Sequence, residues 1–417
     1  MILYQKYVFQ LTWAIKFRLA GIIFLGLIST LSLQAQETTQ FDNPVKTDLD
    51  IRVGARRVDL YLPMISGKTI AVVGNHTSLI GSKHLVDSLL SLQIKIKVLF
   101  CPEHGFRGKL DAGEDVDDSK DKKTGLPIIS LYGDHKKPSA KELEGVDVVL
   151  FDLQDVGARF YTYLSTLNYV MEACAENKKP LIVLDRPNPN GYYIDGPVME
   201  PRHKSFVGLH AVPIVYGMTI GEYAKMINGE GWLSGGLKCN LQVIPLLGYT
   251  HSDLYQLPVP PSPNLSTMTA VYLYPSLCLF EGTVISVGRG TDFPFQVIGC
   301  PNLRGAKFSF TPESKPGALN PLYKGQKCMG MDLREFGKAY IPGNRKLYLF
   351  WLEACYKNAP DKKMFFNNYF LSLSGTDTLE QQVKEDKPEE EIRLSWQPKL
   401  RVFKAIRKKY LMYTDFE

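Results

Sequence analysis

An acid, an imidazole ring and a guanidinium group follow an apolar run in the segment VLFCPEHGFRGKLDAGED, residues 98–115. Glu103, His104 and Arg107 lie within five positions, and the glycines beside them allow a sharp turn close to a ligand. A carboxyl group placed there can give a proton to a leaving oxygen, with the histidine as its hydrogen-bond partner. We therefore expect Glu103 to face a ligand in a cleft, with His104 as its neighbour. The alternative is a structural carboxylate paired with Arg107 or Arg159, since buried carboxylates are usually paired.

Polar side chains also follow the other apolar runs of the first half of the chain. They are Asn75 and His76 after TIAVVG, Asp152 and Asp155 after VVLF, and Asp185, Arg186 and Asn188 after LIVL. In open α/β sheets, ligands bind outside the carboxyl ends of the strands, so these side chains are expected to line one cleft with Glu103. A metal held by the histidines is less favoured, and no metal site is predicted.

The elements that must position these side chains alternate between strand and helix. Short β-branched runs occur at residues 69–74, 96–100, 128–133, 146–154 and 181–187. Continuous apolar strands of this kind suit a parallel sheet that is buried on both faces. The clearest helix spans about residues 161–177, where apolar residues recur at three- and four-residue steps. This alternation predicts an open, doubly wound α/β domain.

The alternation stops after the proline-rich turn PVPPSPN, residues 258–264. The chain beyond it is predicted to be a smaller α+β domain. We place the boundary between Leu265 and Tyr272, which gives domains of 51–268 and 269–417.

The amino-terminal segment predicts export. Lys6, Lys16 and Arg18 precede or enter an apolar block at residues 19–33, which is followed by LQAQ. This pattern is typical of a secretory signal cleaved after Ala35, and an apolar block of this length is shorter than the ~20 residues that span a membrane. We expect a periplasmic or secreted protein without a stable membrane anchor after removal of residues 1–35.

Composition and missing motifs exclude several classes of protein. The net charge of +6 does not indicate a nucleic-acid partner. The seven cysteines include no C-x-x-C pair, so no zinc site is predicted. The first strand leads into GNHTSLIG, which lacks the G-x-G-x-x-G fingerprint, and neither a Walker motif nor G-x-S-x-G occurs. We therefore expect no cofactor and disfavour an oxidoreductase. A glycan-binding module without catalysis is the other alternative.

Several longer motifs carry a resemblance to a known family. They are FCPEHGFRG, GLPIISLYG, DVVLFDLQDVGARFYTYLSTL, VLDRPNPNG, YGMTIGEYA, PPSPN, YPSLCLFEGT and VGRGTDFPFQ. Over roughly residues 52–415 the chain resembles the NamZ-type exo-β-N-acetylmuramidases, a bacterial family long labelled only as a domain of unknown function. The resemblance implies a Rossmann-like domain with the active site and a smaller carboxyl-terminal domain that completes the cleft. It also implies release of N-acetylmuramic acid from the non-reducing end of peptidoglycan fragments of the MurNAc-GlcNAc type, in cell-wall turnover.

The resemblance gives the rim residues roles in glycoside hydrolysis. This reaction needs a protonated carboxyl group, for which Glu103 is the candidate general acid with His104 as its hydrogen-bond partner. It also needs a second carboxylate, nucleophile or base, and the 2-acetamido group of the sugar can itself be the nucleophile. For the second carboxylate, Asp152 and Asp185 rank ahead of three others that also qualify, namely Glu114, Asp155 and Glu281. The lactyl carboxylate of muramic acid needs a guanidinium, for which Arg159, Arg186 and Arg289 are candidates, a structural ion pair being the alternative for each. Tyr161 either stacks on a sugar or packs the start of the helix. The full set of expected substrate contacts is Asn75, Arg107, Asp155, Arg159, Tyr161, Arg186, Asn188, Asn264, Glu281 and Arg289.

Overall fold

A seven-stranded sheet forms the centre of the first half of the chain. The computed structural model describes residues 45–103, 105–106, 119–339 and 341–417. The strands of this half are β1 (Thr69–Gly74), β2 (Leu79–Ile80), β3 (Lys83–His84), β4 (Lys95–Cys101), β5 (Ser119–Lys120), β6 (Pro127–Ser130), β7 (Val148–Asp152), β8 (Leu181–Leu184) and β9 (Leu241–Ile244). In the sheet they lie in the order β5-β6-β4-β1-β7-β8-β9, while β2 and β3 form a separate hairpin.

Six of the seven strands are parallel, and only the edge strand β5 is antiparallel. Numbered along the chain, the parallel strands follow the order 3-2-1-4-5-6, which is that of dinucleotide-binding folds. The order reverses at β1, whose Gly74 lies beside Asp152 of β7 and whose Val73 lies beside Phe100 of β4. The predicted doubly wound parallel sheet is therefore confirmed. Its ligand crevice is expected at the carboxyl ends of β1, β4 and β7.

Helices cover the sheet, which is why β7 and β8 are buried along their whole length. The helices of this half are α1 (Val58–Ile65), α2 (Leu85–Ser91), α3 (Tyr163–Glu176) and α4 (Ile220–Glu230). The predicted helix at 161–177 is α3, and its apolar stripe of Leu164, Leu167, Met171 and Cys174 is buried. Helix α4 begins with a capping box, in which Thr219 and Glu222 each accept a hydrogen bond from the other's backbone amide.

The second half is smaller and mixes helices with an antiparallel sheet, as predicted. Its strands are β10 (Val297–Cys300), β11 (Phe308–Phe310) and β12 (Cys328–Asp332), in the order β10-β12-β11. Its helices are α5 (Met268–Leu277), α6 (Arg334–Ala339), α7 (Ile341–Asn344), α8 (Phe350–Asn358), α9 (Tyr369–Ser374), α10 (Thr378–Lys384) and α11 (Glu389–Lys408). The two halves share many contacts, and Asn43–Glu417 forms one compact unit. The domain boundary at 268/269 stays a prediction.

The predicted signal peptide, residues 1–35, lies outside the described residues. Among the helices that the structure describes, none combines the length and the apolar character that crossing a bilayer would need.

Candidate active site

The candidate acid Glu103 lies just beyond the carboxyl end of β4 and is half-buried. Its Oε2 accepts a hydrogen bond from the Thr162 hydroxyl at 2.9 Å. Thr162 is the residue before α3, and its side chain makes no capping bond to that helix, so the hydroxyl is directed at the carboxylate instead. Two segments that are distant in the sequence therefore fix the position of the acid. His104 and Arg107 lie outside the described residues.

Asn75 follows β1, the strand at which the strand order reverses, and contacts the start of α3. Its Nδ2 donates to the Tyr163 hydroxyl at 2.8 Å, and its Oδ1 accepts from the backbone amide and hydroxyl of Thr77. The Tyr161 and Tyr163 rings meet edge to face at 4.6 Å between centroids, and the Tyr161 hydroxyl donates to the Pro261 carbonyl. Both tyrosines are buried, so packing at the start of α3 accounts for them.

Glu281 and Arg289 approach the same cleft from the second half of the chain. The Arg289 Nε donates to Glu281 Oε1 at 2.6 Å, and about a quarter of each side chain is exposed. The guanidinium lies over the Phe295 ring at 5.0 Å. The Tyr274 ring, which contacts both Phe295 and Tyr161, connects this pair with the start of α3.

Tyr369, the first residue of α9, follows a segment that contacts Gly282, the residue after Glu281. Its side chain is 43% exposed. Partial burial raises the pKa of Tyr369, and the neighbouring Cys278, Glu281 and Glu103 raise it further. The sequence prediction missed this residue, because a lone tyrosine in a helical segment carries no motif.

Asp152 and Arg186 form a buried ion pair at the carboxyl ends of β7 and β8. Arg186 donates from Nε to Asp152 Oδ1 at 2.6 Å and from Nη2 to Oδ2 at 2.8 Å. The same Nη2 donates to the Leu79 carbonyl at 3.2 Å. Because both carboxylate oxygens and the guanidinium fork are engaged, this geometry favours the structural alternative for each residue. It does not favour Asp152 as a second acid or Arg186 as a lactyl contact.

Asp185 connects the sheet with α4 and with the carboxyl-terminal segment through hydrogen bonds. Its oxygens accept from the Gly221 amide at 2.8 Å, the Thr219 hydroxyl at 2.8 Å and the Tyr413 hydroxyl at 2.5 Å. Burial raises the pKa of Asp185 to about 7, despite the hydrogen bond from Tyr413. The structure does not bring this carboxyl group together with Glu103, and its contacts are those of a structural group.

Asp155 is the rim carboxyl group that lies close to the cleft tyrosines. It accepts hydrogen bonds from the Gly157 amide at 2.6 Å and from the Tyr216 hydroxyl. Burial raises the pKa of Asp155 to about 6. Its charge also contributes to the raised pKa values of Tyr161 and Tyr163, where burial is the main cause. Asp155, rather than Asp152 or Asp185, is thus the buried rim carboxyl group whose charge acts on the tyrosines at the start of α3.

Arg159 joins the two halves of the chain. Its Nη1 donates to the carbonyls of Pro197 and Val212, and its Nη2 donates to those of Leu373 and Ser374, at 2.7–2.9 Å. The residue is 2% exposed, and burial lowers the pKa of its guanidinium to about 9. These contacts favour a structural role, which leaves Arg289 as the partly exposed arginine among the three candidates.

The two predicted asparagines hold backbone segments. Asn188 donates to the Met218 carbonyl and accepts from the Asn190 amide, both at 2.8 Å. Asn264 donates to the Gly317 carbonyl at 2.6 Å. Both are buried, so they shape the loops around the cleft.

Glu200, His203 and Asp377 are the group in the described part of the chain whose ligand atoms are close enough for a metal ion. Their carboxylates already pair with Lys399 and Arg202. The group is therefore an ion-pair cluster between the two halves of the chain. It includes none of the predicted site residues.

Comparison with known proteins covers most of the described chain. Residues 70–269 match the model of the family Exo-beta-N-acetylmuramidase NamZ, N-terminal, and residues 272–413 match that of its C-terminal part. The peptidoglycan beta-N-acetylmuramidase NamZ of Bacillus subtilis (strain 168) is 36% identical over 425 residues, covering 95% of this chain and 98% of the relative.

Two solved structures are also similar, both of DUF1343 family proteins from Bacteroides fragilis NCTC 9343. One is 44% identical with a TM-score of 0.81, and the other is 28% identical with a TM-score of 0.74. Each alignment covers 88% of this chain and 99% of the solved chain.

Proposed function

We propose that this chain, which belongs to the family of NamZ exo-β-N-acetylmuramidases, releases N-acetylmuramic acid from the non-reducing end of peptidoglycan fragments. The observation that carries the proposal is the family match over both halves of the chain, 70–269 and 272–413. The contacts around the cleft support it, because the Tyr274 ring connects the start of α3, where Thr162 holds Glu103, with Phe295 below the partly exposed Arg289.

Glu103 acts as the general acid. Its proton passes to the glycosidic oxygen as the bond from that oxygen to the anomeric carbon of muramic acid breaks. Thr162 holds the carboxyl group by a hydrogen bond to its Oε2. Either the acetamido oxygen of the substrate or a carboxylate stabilises the anomeric carbon, and water completes the hydrolysis. Because Asp152 is occupied by Arg186, Asp155 is the protein group that best suits an orienting role towards the acetamido group.

Arg289 binds the lactyl carboxylate. A carboxylate that leaves water for a cleft needs a charged donor of matching geometry. Glu281 engages the Nε of Arg289, and among the described residues no hydrogen-bond partner occupies its two Nη groups. The pair thus holds the guanidinium in place and presents two parallel donors to the substrate.

The reaction takes place outside the cytoplasm, in turnover of the cell wall. The support is the apolar block at residues 19–33 with the small-residue context after it. A chain tagged at its carboxyl end should appear in the periplasmic or secreted fraction, shortened to begin near Gln36. Retention of a tagged full-length chain in the cytoplasm would exclude this part of the proposal.

One assay tests the activity. Purified protein that begins at Gln36 is incubated with the disaccharide MurNAc-GlcNAc and with the reversed disaccharide GlcNAc-MurNAc, in the presence of a chelator. Only the first should release free N-acetylmuramic acid. Equal cleavage of both, or cleavage of neither, contradicts the proposal, and binding without cleavage would identify a glycan-binding protein instead.

A further inference from the structure

A buried histidine lies where the hairpin of β2 and β3 meets helix α2. His84 is the last residue of β3 and the residue before α2, and it is 6% exposed. Its Nδ1 accepts a hydrogen bond from the Val86 amide at 3.2 Å, so the ring caps the helix. Its Nε2 lies 2.8 Å from the Asn75 carbonyl oxygen. Because a backbone amide only donates and a carbonyl only accepts, the ring hydrogen is on Nε2, which donates to Asn75.

Asn75 connects this histidine with the start of α3. It follows β1 and is fully buried. Its Nδ2 donates to the Tyr163 hydroxyl at 2.8 Å. Tyr163 is the neighbour of Thr162, whose hydroxyl donates to Glu103 at 2.9 Å. The backbone group that His84 holds therefore belongs to a residue that contacts the support of the candidate acid.

The same ring contacts the acid loop, which begins at Pro102 and carries Glu103 and Phe106. The rings of His84 and Phe106 meet edge to face, with 5.0 Å between centroids and 60° between planes. Phe106 is 3% exposed and lies three residues after Glu103. The Gly105 amide donates to the Pro102 carbonyl at 3.1 Å and closes a turn that contains Glu103. A contact to Phe106 therefore fixes the end of the turn that carries the acid.

Capping of α2 alone does not account for a histidine at this position. A capping side chain needs one acceptor for an early amide of the helix, and serine, aspartate or asparagine provides it. Histidine adds a donor on the far side of the ring and an aromatic edge. The end of β1 uses the donor, and the acid loop uses the edge.

We infer that His84 is a positioning residue for the reaction, which fixes Glu103 from two sides, through Phe106 in the acid loop and through Asn75 at the end of β1. This inference rests on the proposed function, in which Glu103 gives its proton to the glycosidic oxygen. Loss of a residue that only aligns this proton transfer should lower kcat and leave KM nearly unchanged.

His84→Asn separates this role from capping. Asparagine is a good capping residue, so α2 keeps its first hydrogen bond, but the side chain has no ring and is too short to reach the Asn75 carbonyl. The kcat for MurNAc-GlcNAc should fall about tenfold, with KM within about twofold of the wild-type value. The leaving group of N-acetylmuramyl fluoride needs little help from an acid, so its hydrolysis should fall no more than about twofold. An unchanged kcat for the disaccharide, or equal losses on both substrates, would overturn the inference.

Phe106→Leu tests the ring contact from the other side, and it keeps the test available if His84→Asn does not fold. Leucine stays apolar but has no aromatic edge, so kcat for the disaccharide should fall about fivefold, because one of the two contacts is lost. The variant that combines both changes should stay near the tenfold loss of His84→Asn, since both changes remove the same ring contact. A combined loss of about fiftyfold would show that the two residues act independently, against the inference.

His210→Asn is the matched control. The His210 ring is also buried, its two nitrogens lie 3.1 Å from the Tyr223 hydroxyl and from Asn168 Oδ1, and it stacks on Trp232. These partners belong to α3, α4 and the turn after α4. The variant should lower the melting temperature but leave the ratio of the rates on the disaccharide and the fluoride unchanged. A change of that ratio equal to that in His84→Asn would show a general effect of destabilisation and would overturn the inference.

Hydrogen exchange distinguishes failure of this inference from failure of the proposed function. Mass spectrometry compares amide exchange in the peptide of residues 98–106 between wild type, His84→Asn and His210→Asn. Faster exchange in His84→Asn alone supports the link between His84 and the acid loop, even if the wild-type protein cleaves nothing and the proposed function fails. Unchanged exchange, or equal acceleration in both variants, overturns the inference.

Discussion

The Thr162 hydroxyl donates a hydrogen bond to Glu103 Oε2 at 2.9 Å, and the two residues lie 59 positions apart in the sequence. Glu103 comes from the loop after β4, whereas Thr162 marks the start of α3. The candidate acid is therefore held by the helix that crosses from β7 to β8. Its geometry depends on the packing of α3 as well as on its own loop.

Glu103→Gln should lower kcat by about 10² to 10⁴-fold, the usual contribution of general acid catalysis. The amide keeps the shape and the acceptor for Thr162 but has no proton to give. Hydrolysis of MurNAc-GlcNAc measures the loss, and thermal melting checks the fold. A variant with near wild-type kcat and an unchanged melting temperature would show that another group is the acid.

Thr162→Val should lower kcat about tenfold, since one hydrogen bond to a carboxyl group is worth about 1.5 kcal/mol. Thr162→Ser keeps the hydroxyl and should restore the rate. If the role is positioning of Glu103, the acidic and basic limbs of the pH–rate profile should shift in Thr162→Val. An altered KM with an unchanged pH profile would argue against it.

Arg289→Ala should weaken recognition of the lactyl carboxylate by about 1.5–3 kcal/mol, and Arg289→Lys by less, because lysine keeps the charge but not the two-pronged geometry. The loss should fall on the acid substrate and spare an analogue with an amidated lactyl group. Arg334→Ala is the matched control, since Arg334 also pairs with a carboxylate and lies over a phenylalanine ring. Equal losses on acid and amide would show that Arg289 only organises the cleft.

Arg159→Met should destabilise the protein by at least ~3 kcal/mol, because four buried carbonyls lose their donor at ~1–3 kcal/mol each, partly offset by relaxation. These carbonyls belong to both halves, so urea unfolding should begin at a lower concentration. Arg202→Met, which changes an exposed arginine, should cost no more than ~0.5 kcal/mol. If Arg159→Met keeps the wild-type stability and loses only substrate selectivity, Arg159 binds the substrate and is not a structural residue.

Asp155 should make stability depend on pH. Its folded-state pKa of about 6 lies above the ordinary value of 3.8, so the folded protein binds this proton more tightly than the unfolded chain does. The contribution of Asp155 to the free energy of unfolding is therefore most favourable below about pH 4. It is lost as the pH rises to about 6, by roughly 3 kcal/mol. Asp155→Asn removes this titration.

Urea unfolding of wild type and Asp155→Asn between pH 4 and pH 8 measures the effect. The stability difference between them should change in the variant's favour up to about pH 6 and then stay constant. Asp59→Asn, at an exposed position of α1, is the control for a carboxylate without buried contacts. Parallel pH curves for wild type and Asp155→Asn would contradict the assignment.

The sequence by itself determined the parallel sheet and the rim where its polar residues gather. The local composition of residues 69–74 and 181–187 predicts strands, and strands occur there. A polar residue directly after a strand must lie at the end of that strand. Strand ends agreed less well, since 146–154 shortened to Val148–Asp152. The short strand β9 was missed because its residues are only partly buried and carry a weak pattern.

Only the tertiary structure decided which rim residues face the cleft. Asp152 meets Arg186 from the neighbouring strand, Asp185 meets Tyr413, 228 positions away, and Arg159 meets Leu373, 214 positions away. A sequence pattern reports the secondary structure around a residue, but a buried charge takes its partner from wherever the fold brings one. The same carboxylate or guanidinium is therefore structural or exposed to substrate according to contacts that span the whole chain.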